Sequence, residues 1–164
     1  MMSLIEIFKK ELEAEAVVTR KMLERVPTEL FDWQPHEKSM TMRRLATHIA
    51  DLPNWTTMGL TTDGLDFQSN NWKEEVVNNT AELLDYFERS LNSARKSLNE
   101  ASEDVLDQEW VLRNGDQILY TSTKAETVRM SFNQTVHHRA QLGVYLRLNN
   151  IPIPATYGPS ADEH

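Results

Sequence analysis

Apolar residues recur at spacings of three and four positions over four separate stretches of the chain, which is the periodicity of amphipathic helices. The first stretch carries the apolar face Ile5, Phe8, Leu12, Ala16, Thr19, Leu23 and Val26. Pro27 follows where that helix should end. The second stretch is expected to begin near Ser39 or Thr41, and Pro53 either kinks or ends it.

The third stretch has the most regular pattern, and it begins with a recognisable helix start. Asn79 and Glu82 have the spacing of an N-terminal capping pair. The apolar positions that follow are Leu84, Phe87, Leu91, Ala94, Leu98 and Ala101. The fourth stretch opens on a similar pair, Thr123 and Glu126, and is expected to continue to about Asn149.

The connections between the helices carry different signals. Asn114–Gly115 lies between β-favouring residues, which predicts a two-stranded hairpin between the third and fourth helices. The polar segment Thr61–Asn79 is interpreted as a long loop, and because such loops are uncommon without a role we expect it to cover a pocket. The proline-rich segment Ile151–Glu163 is expected to be extended.

These elements predict an all-α fold, a four-helix bundle with a small β-hairpin between the third and fourth long helices. The chain of 164 residues, 40% of them hydrophobic, is long enough for a single domain with a substantial core. We therefore expect one domain over residues 1–164, with an extended tail from about residue 150.

Composition narrows the classes of function. A net charge of −8 argues against binding to a nucleic-acid backbone, which usually requires a basic face. The chain has no cysteine, so any thiol chemistry must use a thiol that arrives with a substrate. The N-terminus lacks the apolar region of a signal peptide and no apolar run approaches about 18 residues, so we expect a cytoplasmic protein without a membrane partner.

Two adjacent histidines lie in the middle of the fourth helix. Six residues fall within about 60° of His138 on a helical projection: Thr127, Ser131, Gln134, Gln141, Leu142 and Tyr145. Arg129 and Arg147 fall on the opposite side, which is interpreted as the solvent face. His138 is therefore expected to face inward, along a polar strip that needs hydrogen-bond partners, an ion or a ligand.

A histidine on the second helix suggests what such a strip can bind. His48 shares a helix face with Thr41, Leu45, Leu52 and Trp55. His48 and His138 can together hold a divalent metal, since imidazole binds Zn, Ni, Cu and Fe(II). Gln134, one turn before His138, can add an amide oxygen as a third ligand, and His137, about 100° away from the strip, is the alternative for that position.

Simpler interpretations of the same residues remain open. His48 and His138 can be ordinary, partly buried side chains that hydrogen-bond to Gln141, Tyr145 or the backbone. The carboxylates of Glu11, Glu13 and Glu15 on the first helix are interpreted as a solvated face.

Four stretches together resemble one known family. They are Trp33–Met40, Leu45–Trp55, His137–Pro154 and Tyr157–Ser160. They are similar to the loop before the second helix, the first histidine motif, and the last helix and tail of the DinB/YfiT-like superfamily. The resemblance implies a four-helix bundle, commonly dimeric, with a metal held by three histidines, one from the second helix and two, four residues apart, from the last.

His48 matches the first of those ligands and His138 the last, whereas Gln134 occupies the remaining position. Some members of the superfamily are thiol-dependent transferases that use bacillithiol or mycothiol, and others are amide hydrolases or isomerases. The resemblance therefore implies a homodimeric, divalent-metal-dependent transferase or hydrolase acting on a small molecule, with Zn or Ni as the metal and a low-molecular-weight thiol as a candidate partner. The alternative is a non-catalytic small-ligand-binding or stress-response module whose metal binding is weakened or lost because Gln134 replaces a histidine.

Overall fold

The computed structural model describes residues 2–69 and 75–164. Over these residues the chain is mostly helical, with long helices α1–α4 and a small sheet of strands β1–β3. The elements, in chain order, are α1 (Leu4–Glu24), α2 (Met42–Thr61), β1 (Gly64–Asp66), α3 (Thr80–Glu100), β2 (Glu109–Asn114), β3 (Gln117–Thr123) and α4 (Lys124–Leu148). The predicted mostly helical fold is confirmed, and the tail after α4 contains no further helix or strand.

The helix starts lie where the capping residues predicted them. Thr123 and Glu126 form the complete capping box at the start of α4. Asn79 caps α3 by accepting a hydrogen bond from the backbone N–H of Glu82 at 2.9 Å. The Glu82 carboxylate, however, accepts from the backbone N–H of Asn78 at 2.8 Å, so the second half of this box is shifted by one residue. Each cap satisfies backbone donors that the first helical turn cannot pair.

The small sheet is larger than the predicted hairpin. Strands β2 and β3 pair antiparallel around Gly115, whose φ is +59°. Strand β1, which pairs parallel with β2, lies within the segment Thr61–Asn79 that was interpreted wholly as a loop. That interpretation is wrong for residues 64–66, and its part at residues 70–74 lies outside the described residues. Gly64 is required there, because a Cβ atom would lie 2.2 Å from the carbonyl oxygen of Val111.

Helix α2 is central to the packing. It contacts both α3 and α4, whereas α1 packs against α3 and α4 from the other side. Pro53 lies within α2 and does not end it. In the described part of the chain, no helix combines the length and the apolar character needed to cross a membrane.

The prediction that Glu11, Glu13 and Glu15 of α1 form a solvated face is right only for Glu13, which is exposed. Glu11 and Glu15 are half-buried, and each of the three binds an arginine of another helix. The pairs are Glu11–Arg129, Glu13–Arg95 and Glu15–Arg139. Arg129 is also not on the solvent side of α4 as predicted: its guanidinium lies over the rings of Phe8 and Phe132. Arg147 does lie at the surface, where it pairs with Asp162.

Helices α2 and α4 approach each other closely through small side chains. The hydroxyl groups of Thr56 and Ser131 share a buried hydrogen bond of 2.8 Å. One turn further along α2, Gly59 packs against Thr127, and a Cβ on Gly59 would lie 2.9 Å from the Thr127 methyl carbon. Because positions 56 and 59 of α2 meet positions 131 and 127 of α4, the two helices are antiparallel.

We predict that Gly59→Ala destabilises the protein. Thr127 is fully buried and its hydroxyl is held by Ser122 and by the Thr123 carbonyl, so its methyl group cannot turn away. The overpacking cost of about 1–3 kcal/mol outweighs the gain of about 1 kcal/mol in helix propensity. Urea unfolding should therefore show a free energy of unfolding lower by about 1 kcal/mol.

The matched control is the double variant Gly59→Ala with Thr127→Ser, which removes the opposing methyl group and keeps the hydroxyl. It should recover the lost stability. If Gly59→Ala alone is as stable as the parent protein, the close approach of α2 and α4 at this point is contradicted.

Candidate metal site

The antiparallel register of α2 and α4 brings the two predicted histidines together. His48 precedes Thr56 by eight positions and His138 follows Ser131 by seven, which are axial steps of about 12 Å and about 10.5 Å. Both steps run in the same direction from the Thr56–Ser131 contact. The imidazole rings of His48 and His138 accordingly lie edge to face, with their centroids 4.7 Å apart.

A hydrogen bond fixes the orientation of one of these rings. The Nδ1 atom of His138 lies 2.7 Å from Oε1 of Gln141, so Nδ1–H is the donor to the amide oxygen. The lone pair of the neutral ring is then on Nε2, and such a partner on the other ring nitrogen is the usual support of a metal-binding histidine. Tyr145, the other predicted partner, instead donates to the carbonyl oxygen of Met40 at 3.1 Å.

The surroundings of both rings favour the neutral imidazole. Burial lowers the pKa of His48, and the neighbouring His138 lowers it further, although Asp51 acts in the opposite direction. Burial also lowers the pKa of His138, against the effect of the hydrogen bond that its ring donates to Gln141. A metal ligand has to be the neutral imidazole, so the protonation state of both rings suits metal binding.

Two residues are candidates for the third ligand position. Gln134 and His137 line an open cleft of about 450 Å³ together with His138, Met130 and Asn133. His137 is exposed, and its ring centroid lies 4.8 Å from that of His138. Within the described residues no group of three or more His, Cys, Asp or Glu side chains is arranged to hold a metal ion. Two imidazoles, which are donors of a kind that binds divalent metals, therefore meet at this point.

Sequence reasoning missed the groups next to His48. Asp51 is 5% exposed, and the hydroxyl of Tyr86 on α3 donates to its carboxylate. Burial, together with this hydrogen bond, raises the pKa of Tyr86, so the hydroxyl stays a donor. The position of Asp51, three residues after His48, can be read from the sequence, but the way in which α3 packs against α2 cannot.

The fold and the histidine pair define a mostly helical protein with a candidate metal site between its second and last helices. The DinB family model matches residues 1–164, and the chain therefore belongs to the DinB family. It is 24% identical over 165 residues to the uncharacterized protein YrdA of Bacillus subtilis. The aligned region covers 99% of this chain and 93% of that protein.

Solved structures show the same fold. A DinB-like protein from Bacillus cereus superposes with a TM-score of 0.74 at 20% identity, over 96% of this chain and 100% of that one. The mycothiol-dependent maleylpyruvate isomerase superposes with a TM-score of 0.62 at 18% identity, over 87% of this chain and 64% of that one. At these identities the likeness establishes the fold.

We predict that the protein loses stability as the pH falls below 6.5, the ordinary histidine pKa. The pKa of both imidazoles is lower in the folded chain, so the unfolded chain takes up protons first and the free energy of unfolding decreases with falling pH. Urea unfolding at a series of pH values measures this slope. The double variant His48→Gln with His138→Gln should have a shallower slope just below pH 6.5, and an unchanged slope would show that neither ring is desolvated.

Proposed function

We propose that this DinB-family protein is a metal-assisted enzyme that acts on a small molecule, with His48 and His138 as ligands of a divalent cation such as Zn²⁺ or Ni²⁺. The observation that carries the proposal is the meeting of two imidazole rings from separate helices, with centroids 4.7 Å apart. Side chains projecting from facing helices are the usual way in which helical bundles build metal sites. We also propose that the four long helices form the four-helix bundle predicted from the sequence.

The third ligand decides how strong this site is. Catalytic zinc usually has three protein ligands and one open position. We propose Gln134 for the third position, since it lies one turn before His138 and lines the same cleft. An amide oxygen is a weaker ligand than an imidazole for these metals, and His137 is the alternative.

The open cleft beside the histidines suits chemistry on a small molecule. A bound divalent cation lowers the pKa of a thiol or a water molecule at its open position. His48 and His138 contribute neutral imidazoles, and Gln141 orients His138 for that role. The reaction class we propose is transfer or hydrolysis.

A low-molecular-weight thiol is the partner we propose. The chain has no cysteine of its own, so a thiolate has to come from a small molecule. The mycothiol-dependent isomerase that shares the fold supports this choice. Incubation of the zinc-loaded protein with a thiol and an electrophile, with His138→Ala as the control, tests the transfer directly.

A second function is favoured by the residue at position 134. Glutamine stands where the family resemblance places a histidine, and the described residues form no three-member cluster of the usual ligands. A protein of this kind that binds little metal would be a small-ligand-binding or stress-response module. In both cases we propose that the protein is a cytoplasmic homodimer. The exposed apolar side chains of Val144 and Leu148 on α4 support the dimer.

We predict that protein purified without a chelating tag contains a divalent metal, and that His48→Ala and His138→Ala each remove it. Loss of one of two imidazoles leaves too few donors to hold the ion. Elemental analysis by mass spectrometry measures the metal content. His36→Ala, which changes an exposed histidine in the loop before α2, is the matched control and should retain the metal; metal-free parent protein would favour the ligand-binding module.

We predict that Gln134→His raises the affinity for Zn²⁺ or Ni²⁺ at least tenfold, on the order of 1.4 kcal/mol. The substitution replaces a weak amide ligand with an imidazole. Competition with a chromogenic chelator measures the change. If Gln134→His leaves the affinity unchanged and His137→Ala lowers it, the third position belongs to His137.

A further inference from the structure

A second cleft lies on the other flank of α2, between α2, α3 and the segment around β1. Its volume is about 600 Å³, which is within the usual range for small-molecule sites. Its apolar wall is formed by Trp55, Met58, Leu65 and Phe67. This cleft is separate from the one that His137 and His138 line.

A buried carboxylate with one open oxygen lies in this cleft. Asp51 is 5% exposed, and its Oδ1 atom accepts hydrogen bonds from the Tyr86 hydroxyl and from Nδ2 of Asn54, the latter at 3.0 Å. No described residue donates to the other oxygen, Oδ2. Asp51 lines the cleft, and the described residues contain no fully buried side-chain oxygen or nitrogen without a partner. We therefore take Oδ2 as the oxygen that faces the open space of the cleft.

Within the described residues, the charges around the cleft leave this carboxylate without a cation. Among the described residues that line it, Arg89 is the single basic side chain. Its guanidinium binds Glu75 at 2.6 Å and Asp85 at 2.9 Å, and it lies over the ring of Tyr86. Arg89 is therefore already paired by two carboxylates, and none of the ion pairs among the described residues includes Asp51.

A largely buried carboxylate oxygen is costly unless a donor pairs with it. An ammonium group is the donor that also balances the charge, and charge-assisted hydrogen bonds are the stronger ones. The ring of Trp55, which lines the cleft, is a suitable neighbour for a cation. The net charge of −8 adds a general attraction for cationic ligands.

We propose that this cleft binds a small organic amine, with its ammonium group on Oδ2 of Asp51 and its apolar body against Trp55, Met58 and Phe67. The site is distinct from the histidine pair and does not require a metal. The proposal therefore goes beyond the function proposed above and can be tested on protein stripped of metal.

Three probes that differ only in their end group test the proposal: phenethylamine, phenethyl alcohol and hydrocinnamate. Each is titrated into metal-free protein and followed by NMR, with the indole N–H of Trp55 and the methyl group of Met58 as reporters. We expect the amine to bind roughly tenfold more tightly than the alcohol, the advantage of a hydrogen bond to a charged group, and the carboxylate to bind weakest. Equal affinity for amine and alcohol, or preference for the carboxylate, would overturn the proposal.

Asp51→Asn isolates the charge, because the amide oxygen can still accept from Tyr86 and Asn54. It should abolish the preference for the amine. Asp104→Asn removes the same charge from an exposed position outside the cleft and should leave the preference unchanged. Should Asp51→Asn fail to fold, Phe67→Ala at a half-exposed wall position should weaken the amine and the alcohol alike.

The variant His48→Ala separates this site from the proposed metal site. Amine binding should persist in it, whether or not the parent protein binds a metal. Loss of amine binding in His48→Ala would place the amine at the histidine pair and overturn the assignment to Asp51. Chemical-shift changes at the ring of His138 without changes at Trp55 and Met58 would do the same.

Discussion

The close antiparallel contact between α2 and α4 is the constraint on which the rest of the structure depends. Small side chains at Gly59, Thr56 and Ser131 let the two helices approach, and the buried hydrogen bond between Thr56 and Ser131 fixes their relative axial position. About two helical turns from that bond, the same register places His48 against His138. The candidate metal site is thus a consequence of helix packing, and a shift of one turn along either helix would separate the rings.

The helices could be predicted from the sequence because their signals are local. Apolar periodicity and capping pairs such as Thr123 with Glu126 depend on residues a few positions apart. Strand β1 escaped prediction because three residues are too few to show an alternating pattern, and its pairing partner Val111 is distant in sequence. Arg129 was misplaced for a related reason: its position on α4 was known, but its partner Glu11 on α1 was not.

The candidate site could be predicted only in part. The helical projection placed His138 on a polar strip, and the residue types suggested His48 as its partner. The structure brings the two rings together. The burial of Asp51 could not be predicted, because Tyr86, which donates to its carboxylate, lies on α3. Sequence periodicity identifies the face of a helix, but the neighbour that covers that face is set by the packing of several helices.

The two flanks of α4 hold the candidate site in place before any ligand binds. On the side away from α2, Arg139 is 2% exposed and donates to Glu15 at 2.5 Å and to the Tyr157 hydroxyl at 2.8 Å. The residue next to His138 is thereby tied to α1 and to the tail, so the backbone at this point is fixed and a ligand there pays little for ordering it. Among the described residues, none holds the exposed side chain of His137 in a comparable way, and its use as a metal ligand would cost about 0.5–1.5 kcal/mol of rotamer entropy. Metal binding at this site is therefore expected to depend first on the preorganised pair of His48 and His138.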